Sequence, residues 1–121
     1  KTDWEVELGV VIGRDALYLD SIEEAEDYIA GYCVSQDVSE REFQLEREGQ
    51  WTKGKSCPTF NPLGPYLYPA SDIGDANNLT MELKVNEEIK IIASFILPKN
   101  FSTGRKLLFL VFTIVNSLMR C

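Results

Sequence analysis

The sequence contains no histidine among its 121 residues. Histidine is the usual base for a cysteine nucleophile, and a thiolate mechanism has no such partner here. We therefore expect Cys57 to be a small apolar filler rather than a nucleophile. The same absence directs any metal site towards oxygen ligands.

Cysteine is scarce as well. The three cysteines, Cys33, Cys57 and Cys121, show no CxxC spacing. An odd number without that spacing indicates neither a disulfide framework nor a zinc cluster. A reducing compartment fits this usage best, and we expect the protein to be cytoplasmic.

Long apolar runs and a leader are also missing. The longest apolar run, Leu107 to Val115, is interrupted only by Thr113 and, even extended to Met119, falls short of the roughly 20 residues that span a bilayer as a helix. It predicts a buried element and no membrane partner. The chain starts at Lys1 with no initiator methionine and no charged-then-apolar leader, so we expect an upstream segment to be missing.

Positive charge is in deficit. Twelve lysines and arginines against 19 aspartates and glutamates give a net charge of -7. A nucleic-acid backbone needs a basic surface, so we expect no nucleic-acid partner, whereas local sites for metal cations stay open. The length and the 45% apolar content predict one domain, or a piece of one.

The stretch "WEVELGVVIG", residues 4 to 13, alternates apolar and polar residues with a period of two. This period is typical of a strand, and it puts Glu5 and Glu7 on one face together with Gly9. That face must be wet, or it must hold a cation.

A helix and a second strand are predicted next. Ser21 and Glu24 form a capping box that predicts a helix through about Ala30, ended by Gly31. The segment "YCVSQDV", residues 32 to 38, alternates again and is rich in β-branched and aromatic residues, which is typical of a strand. Its period places Cys33, Ser35 and Asp37 on one face.

The remaining segments predict a helix, a loop and a hairpin. Ser39 is a candidate cap for a solvated helix over Glu40 to Arg47, and "GQWTKGKSCPTFNPLGPY", residues 49 to 66, is too rich in glycine and proline for regular structure. Leu79 to Val85 and Ile89 to Ile92 predict a hairpin that turns at Asn86-Glu87. Together these elements predict an α/β chain dominated by β-structure.

Three carboxylates now become a candidate metal site. Glu5, Glu7 and Asp37 would supply oxygen ligands of the kind that suit Mg²⁺, Mn²⁺ or Ca²⁺, and the absence of histidine points away from zinc. The alternative is that Glu5 and Glu7 belong to the solvent face of a sheet. Spacing alone favours that alternative, because glutamate is almost never buried unless it is paired.

Three sequence blocks shift this balance. "DWEVELGVVIG", "YIAGYCVSQDVSEREFQ" and "QWTKGKSCPTFNPLGPY" closely resemble consecutive blocks of the fumarylacetoacetate hydrolase family, in particular its bacterial 2-hydroxyhepta-2,4-diene-1,7-dioate isomerases and related hydrolases. The resemblance is strong from Thr2 to about Val85 and implies an incomplete catalytic domain of the mixed β-sheet roll type. It also implies a homodimer when full length, a divalent metal ion, and a role in aromatic catabolism.

The resemblance implies a role for each matched residue. Glu5 and Glu7 match the family's E-x-E ligand pair, and Asp37 matches its aspartate ligand. A metal ion chelated by a 2-oxo acid or a diketone is a Lewis acid that stabilises an enolate, so the family cleaves, isomerises or decarboxylates such acids. The expected partner is a small 2-oxo or β-diketo dicarboxylic acid.

Three further positions follow from the same resemblance. Arg41 and Gln44 match substrate-contacting residues, and Lys55 matches a catalytic lysine that holds developing negative charge or a substrate carboxylate. Each has a simpler alternative: an ion pair of Arg41 with Asp37 or Glu46, and a surface position for Gln44 and Lys55.

The chain also departs from the family. Hydrolytic members use a histidine paired with a glutamate before the E-x-E strand, and their hairpin reads "VNGE", whereas this chain has no histidine and reads "VNEE". Residues 91 to 121 form a divergent apolar tail. Two other hypotheses therefore stay open: an inactive fragment that binds metal or pairs with a full-length subunit, and an acidic, β-rich interaction domain.

Overall fold

The computed structural model describes residues 1–94 of the chain. Seven strands account for most of the regular structure: β1 (Thr2–Asp3), β2 (Glu7–Ile12), β3 (Ile29–Ser35), β4 (Ser39–Glu40), β5 (Leu63–Pro69), β6 (Thr80–Val85) and β7 (Glu88–Ser94). The helical elements are short: α1 (Ile22–Glu26), a π-helical segment (Glu42–Glu46), α2 (Trp51–Lys55), α3 (Ala70–Ile73) and a 3-10 turn (Ala76–Asn78). The predicted β-dominated fold class is confirmed.

The strands form three groups, and every pairing among residues 1–94 is antiparallel. The largest group has the order β2-β3-β5, β1 pairs with β4, and β6 pairs with β7. In the β2–β3 pair, Glu7 lies opposite Ser35. Because directly opposite residues share a face, Glu7 and Ser35 point to the same side of this sheet.

The other side of the sheet carries the core. Leu8 and Val10 of β2 and Tyr32 of β3 pack with Ala76 of the 3-10 turn. Partly buried apolar residues from β2, β3, α3, β6 and the position just before β6 surround them: Ile12, Ile29, Ala70, Ile73, Leu79 and Met81. The pleat of β2 thus separates a core face from a face that bears carboxylates.

The first predicted strand is shorter than expected. β2 begins only at Glu7, because β1 pairs with β4 through Thr2 and Glu40 and residues 4–6 connect the two ladders. The solvent-face alternative is wrong: Glu5 is 8% exposed and Glu7 is 1% exposed.

The predicted helix is also too long. Its start is confirmed, since the Ser21 hydroxyl oxygen accepts the Glu24 N–H at 3.1 Å. The helix ends at Glu26, however, because the following residues pair with β2 and form β3. Gly31 lies inside β3, where a Cβ atom would sit 2.1 Å from the Tyr68 carbonyl oxygen of β5. This close approach, rather than a helix end, requires glycine there.

The middle of the chain is more regular than its composition predicts. Ser39 begins β4 instead of capping a helix, and the helical segment after it is a π-helix. The segment predicted as an irregular loop contains α2 and the start of β5. The hairpin is confirmed, with Asn86 and Glu87 both at positive φ (51° and 66°). The apolar run Leu107 to Val115 lies outside the described residues.

Candidate metal centre

The three predicted ligands lie together in space. One oxygen each of Glu5, Glu7 and Asp37 falls within 4.8 Å of the others. Glu7 is the first residue of β2, Glu5 precedes that strand by two residues, and Asp37 follows the end of β3 by two residues. Because β2 and β3 are antiparallel, the start of β2 and the end of β3 lie side by side at the same end of the sheet.

Glu5 is the most heavily contacted of the three. Its Oε1 atom accepts hydrogen bonds from Lys55 Nζ at 2.9 Å, Arg41 Nη2 at 3.0 Å and Ser39 Oγ at 3.2 Å. Its other oxygen, Oε2, is buried and accepts no hydrogen bond from the described residues. A buried carboxylate oxygen without a donor is costly unless a cation or another donor meets it.

The ionisation of Glu5 reflects these contacts. Burial disfavours the charged form and is the largest single influence, but the hydrogen bonds from Lys55 and Arg41 and the charge of Lys55 outweigh it. The pKa of the Glu5 carboxyl is therefore held below its ordinary value. Glu5 enters the site as a charged ligand.

Lys55 lies between two of the ligands. Its Nζ atom is 2.9 Å from Glu5 Oε1 and 2.6 Å from Asp37 Oδ2. Burial tends to lower the pKa of Lys55, but the hydrogen bonds and charges of Asp37 and Glu5 raise it above the usual value. The ammonium group thus stays protonated, and the surface alternative for Lys55 is wrong because α2 turns the residue into the site.

Arg41 and Gln44 border the same cluster. Arg41 forms ion pairs with Asp3 Oδ2 at 2.8 Å and Glu5 Oε1 at 3.0 Å, and its Nη1 atom donates to Gln44 Oε1 at 2.8 Å. The expected alternative partners, Asp37 and Glu46, do not form ion pairs with it in the described part of the chain. Gln44 is 1% exposed rather than on the surface. Its Nε2 atom has no hydrogen-bond partner among the described residues.

The donor set fits a hard divalent cation. All three candidate ligands are carboxylates, which suit Mg²⁺, Mn²⁺ or Ca²⁺, and Glu5 Oε2 is a buried oxygen that such an ion would satisfy. With every group ionised, the carboxylates outnumber the cations by two charges in the network of Asp3, Glu5, Glu7, Asp37, Arg41 and Lys55. A divalent ion would neutralise that excess.

The sequence did not reveal two serines of this site. Ser35 and Ser39 are both 0% exposed, and their hydroxyl groups lie 3.4 Å from Glu7 Oε2 and 3.2 Å from Glu5 Oε1. The one available signal was the shared strand face of Ser35 and Asp37. Asp3, which pairs with Arg41, had no signal in the sequence.

A groove of about 540 Å³ lies outside the carboxylate cluster, and none of the predicted site residues contributes to it. Its lining consists of Phe43, Arg47, Lys53, Ser56, Cys57 and Pro58. Cys57 is partly buried at this groove. Within residues 1–94, no helix has the length and apolar character needed to cross a membrane.

Comparison with known proteins gives consistent matches. A family model described as fumarylacetoacetate (FAA) hydrolase C-terminal matches residues 1–95. A Burkholderia multivorans protein named "Putative hydrolase" is 55% identical over 86 residues, which are 71% of this chain and 30% of that protein. The chain thus spans about 30% of the length of such curated relatives.

Solved structures agree with this assignment. The 2-hydroxyhepta-2,4-diene-1,7-dioate isomerase from Mycobacterium marinum has a TM-score of 0.69 and 36% identity, with 77% of this chain and 35% of that chain covered. A fumarylacetoacetate hydrolase from Exiguobacterium antarcticum has a TM-score of 0.71 and 33% identity, with 77% and 32% covered.

Proposed function

Because the chain belongs to the fumarylacetoacetate hydrolase family, we propose that it carries the metal site of a divalent-metal-dependent hydrolase or isomerase. The substrate class is a small 2-oxo or β-diketo dicarboxylic acid. The observation that carries this proposal is the convergence of buried Glu5 and Glu7 with half-buried Asp37 in one cluster. Pairing with a second copy when full length and a cytoplasmic location belong to the same proposal.

Glu5, Glu7 and Asp37 would hold Mg²⁺, or Mn²⁺ or Ca²⁺ in its place. When bound, such an ion supplies Lewis-acid stabilisation for the negative charge that develops on a 2-oxo or diketo substrate as a bond breaks or a proton moves. The chain's own contribution is to hold charged oxygen ligands in a largely dry setting, where electrostatic interactions are strong.

The cationic and amide groups beside the cluster would bind the acid. The Lys55 ammonium stays charged and lies within 3 Å of two ligand carboxylates, so it is placed to hold developing negative charge or a substrate carboxylate. Arg41 already donates to Asp3, Glu5 and Gln44, so part of its planar fork is left for a substrate carboxylate. The unpaired Gln44 Nε2 needs an acceptor that a substrate oxygen would provide.

Isomerisation and decarboxylation share one requirement that these residues meet. Both need stabilisation of an enolate, which Lys55 and the metal site would supply together. Hydrolysis and isomerisation each need, in addition, a group that moves a proton, and in this chain that group is not an imidazole.

A turnover assay tests the proposal. The full chain, stripped with a chelator and reloaded with Mg²⁺ or Mn²⁺, would be given oxaloacetate and a β-diketo dicarboxylic acid in turn. We expect metal-dependent turnover that is lost in Asp37→Asn. Asp72→Asn is the matched control, because Asp72 is an exposed carboxylate of α3 outside the site.

The alternative is an inactive family fragment that binds metal or pairs with a full-length subunit, and the same carboxylate cluster would hold the ion there. Metal binding without turnover of either acid would contradict the enzymatic proposal and support this alternative. Turnover that is equal in wild type and Asp37→Asn would contradict the assigned ligand.

A further inference from the structure

We propose that Ser35 and Ser39 are positioning residues that orient the carboxylates of Glu7 and Glu5 for the divalent cation. This inference rests on the proposed metal site and deepens it. Neither serine contacts substrate in this account, and each acts through the glutamate beside it. Their common features are complete burial and a hydroxyl group directed at a candidate ligand.

Ser39 connects two ligand residues. Its hydroxyl group lies 3.2 Å from Glu5 Oε1 and 2.9 Å from the Asp37 carbonyl oxygen, so its single proton is donated to one or the other. In the proposed role that proton is donated to Glu5 Oε1, where the hydroxyl holds the carboxylate against the chain segment that carries Asp37. Together with Lys55 and Arg41 it occupies Oε1, which leaves Oε2 as the oxygen of Glu5 for a cation.

Ser35 has the equivalent position beside Glu7. The two residues are directly opposite each other in the β2–β3 pair, and Ser35 Oγ lies 3.4 Å from Glu7 Oε2. The same hydroxyl lies 3.1 Å from Asn61 Oδ1, in the segment that leads into β5. The single Ser35 proton is donated to one of these two oxygens, and in the proposed role it goes to Glu7 Oε2, so that Ser35 holds the Glu7 carboxylate against β3.

A carboxylate in such a site rotates freely about its last bond unless hydrogen bonds fix it. Groups that hold metal ligands in place commonly change metal affinity by about 10-fold to 100-fold when they are removed. Mg²⁺ demands near-ideal octahedral geometry, whereas Ca²⁺ accepts a flexible arrangement. Loss of an orienting hydroxyl should therefore weaken Mg²⁺ binding more than Ca²⁺ binding.

That difference separates positioning from a purely structural role. A serine that only satisfied buried polar atoms would change the stability of the fold and affect both ions alike. The Mg²⁺ to Ca²⁺ affinity ratio is thus the informative quantity, and thermal unfolding measured in parallel reports on the fold.

The experiment is a calorimetric titration of the chelator-stripped full chain with MgCl₂ and, separately, with CaCl₂. The variants are Ser39→Ala, Ser35→Ala and Ser39→Thr, which restores a hydroxyl. The matched control is Ser71→Ala, because the Ser71 hydroxyl donates at 2.9 Å to the Asp72 carboxylate in an exposed position outside the site.

We expect each site alanine variant to weaken Mg²⁺ binding by about 10-fold, with a smaller loss for Ca²⁺. Ser39→Thr should recover most of the Mg²⁺ affinity, and Ser71→Ala should retain the wild-type values. If Ser39→Ala does not fold, Ser39→Cys keeps a small side chain with a weak donor, and we expect a reduced Mg²⁺ to Ca²⁺ ratio there too.

Folded alanine or cysteine variants with wild-type affinity for both ions would overturn the positioning role. Equal losses for Mg²⁺ and Ca²⁺ would overturn it as well, since they indicate a structural role only. These results leave the metal site standing. A folded wild-type chain that binds neither ion would overturn both the metal site and the inference built on it.

Discussion

Glu5 keeps a charged carboxylate in the interior because three donors from two other segments surround one of its oxygens. The alternation of residues 4 to 13 placed Glu5 and Glu7 on one side but carried no information on their burial. The partner that matters most, Lys55, is 50 positions away in the sequence. Local sequence patterns carry no information on such a distant contact. At the level of the sequence, only the resemblance to the family assigned Glu5 and Lys55 to one site.

Tyr32 provides a test of burial at the scale of one side chain. Burial is the main cause that raises the pKa of Tyr32 above its usual value of 10.0, and the charges of Glu26 and Asp75 add to it. The fold therefore favours the neutral phenol. This contribution to stability is fully present below pH 10 and is lost as the pH rises through the raised pKa of the folded state.

We expect the free energy of unfolding of the wild type to fall more steeply above pH 10 than that of Tyr32→Phe, which has no phenol to ionise. Urea unfolding between about pH 8 and pH 11 measures this difference. Tyr66→Phe, which removes an exposed phenol, should keep the wild-type profile. Parallel profiles for Tyr32→Phe and the wild type would show that burial of Tyr32 does not govern its ionisation.

At the scale of elements, strands and turns were predictable where the sequence pattern is local. The hairpin of β6 and β7 and the Ser21 cap are both confirmed. The structure of the segment rich in glycine and proline, residues 49 to 66, was not predictable, because tertiary contacts rather than local sequence decide it. Pro65 is tolerated in β5 since that strand pairs with β3 alone among the described strands, so the lack of one N–H is harmless at the edge.

Gly54 lies inside α2, although glycine usually destabilises a helix, because the neighbouring chain leaves no room for a side chain. A Cβ atom there would lie 2.5 Å from Gln44 Cβ and 2.8 Å from the Glu40 carbonyl oxygen. The glycine therefore lets α2 approach the π-helical segment and brings Lys55 to the carboxylate cluster. Helix propensity alone favours alanine at such a position by about 0.5–1 kcal/mol, so the two effects have opposite signs.

We expect the clash to dominate, so that Gly54→Ala lowers the free energy of unfolding by about 1–3 kcal/mol. Urea denaturation measures this value. Thr52→Ala is the control, because Thr52 is an exposed residue of the same helix, and it should change stability little. A stabilised Gly54→Ala variant would mean that α2 does not pack closely on the π-helical segment.

At the scale of the whole molecule, the family could be predicted from three short blocks, but the arrangement of the strands could not. The described residues bury few large apolar side chains, with Leu8, Val10, Tyr32 and Leu83 as the main ones. Much apolar surface remains exposed, notably on β5 at Leu63, Tyr66, Leu67 and Tyr68. No local sequence pattern distinguishes these exposed apolar residues from core residues.

Binding of a divalent cation by Glu5, Glu7 and Asp37 is directly measurable by calorimetric titration. The chelator-stripped chain would be titrated with MgCl₂ beside Asp37→Asn, with circular dichroism to show that both are folded. We expect saturable binding to the wild type that is lost in Asp37→Asn. A folded wild type without saturable binding, or a variant that binds equally well, would contradict this metal site.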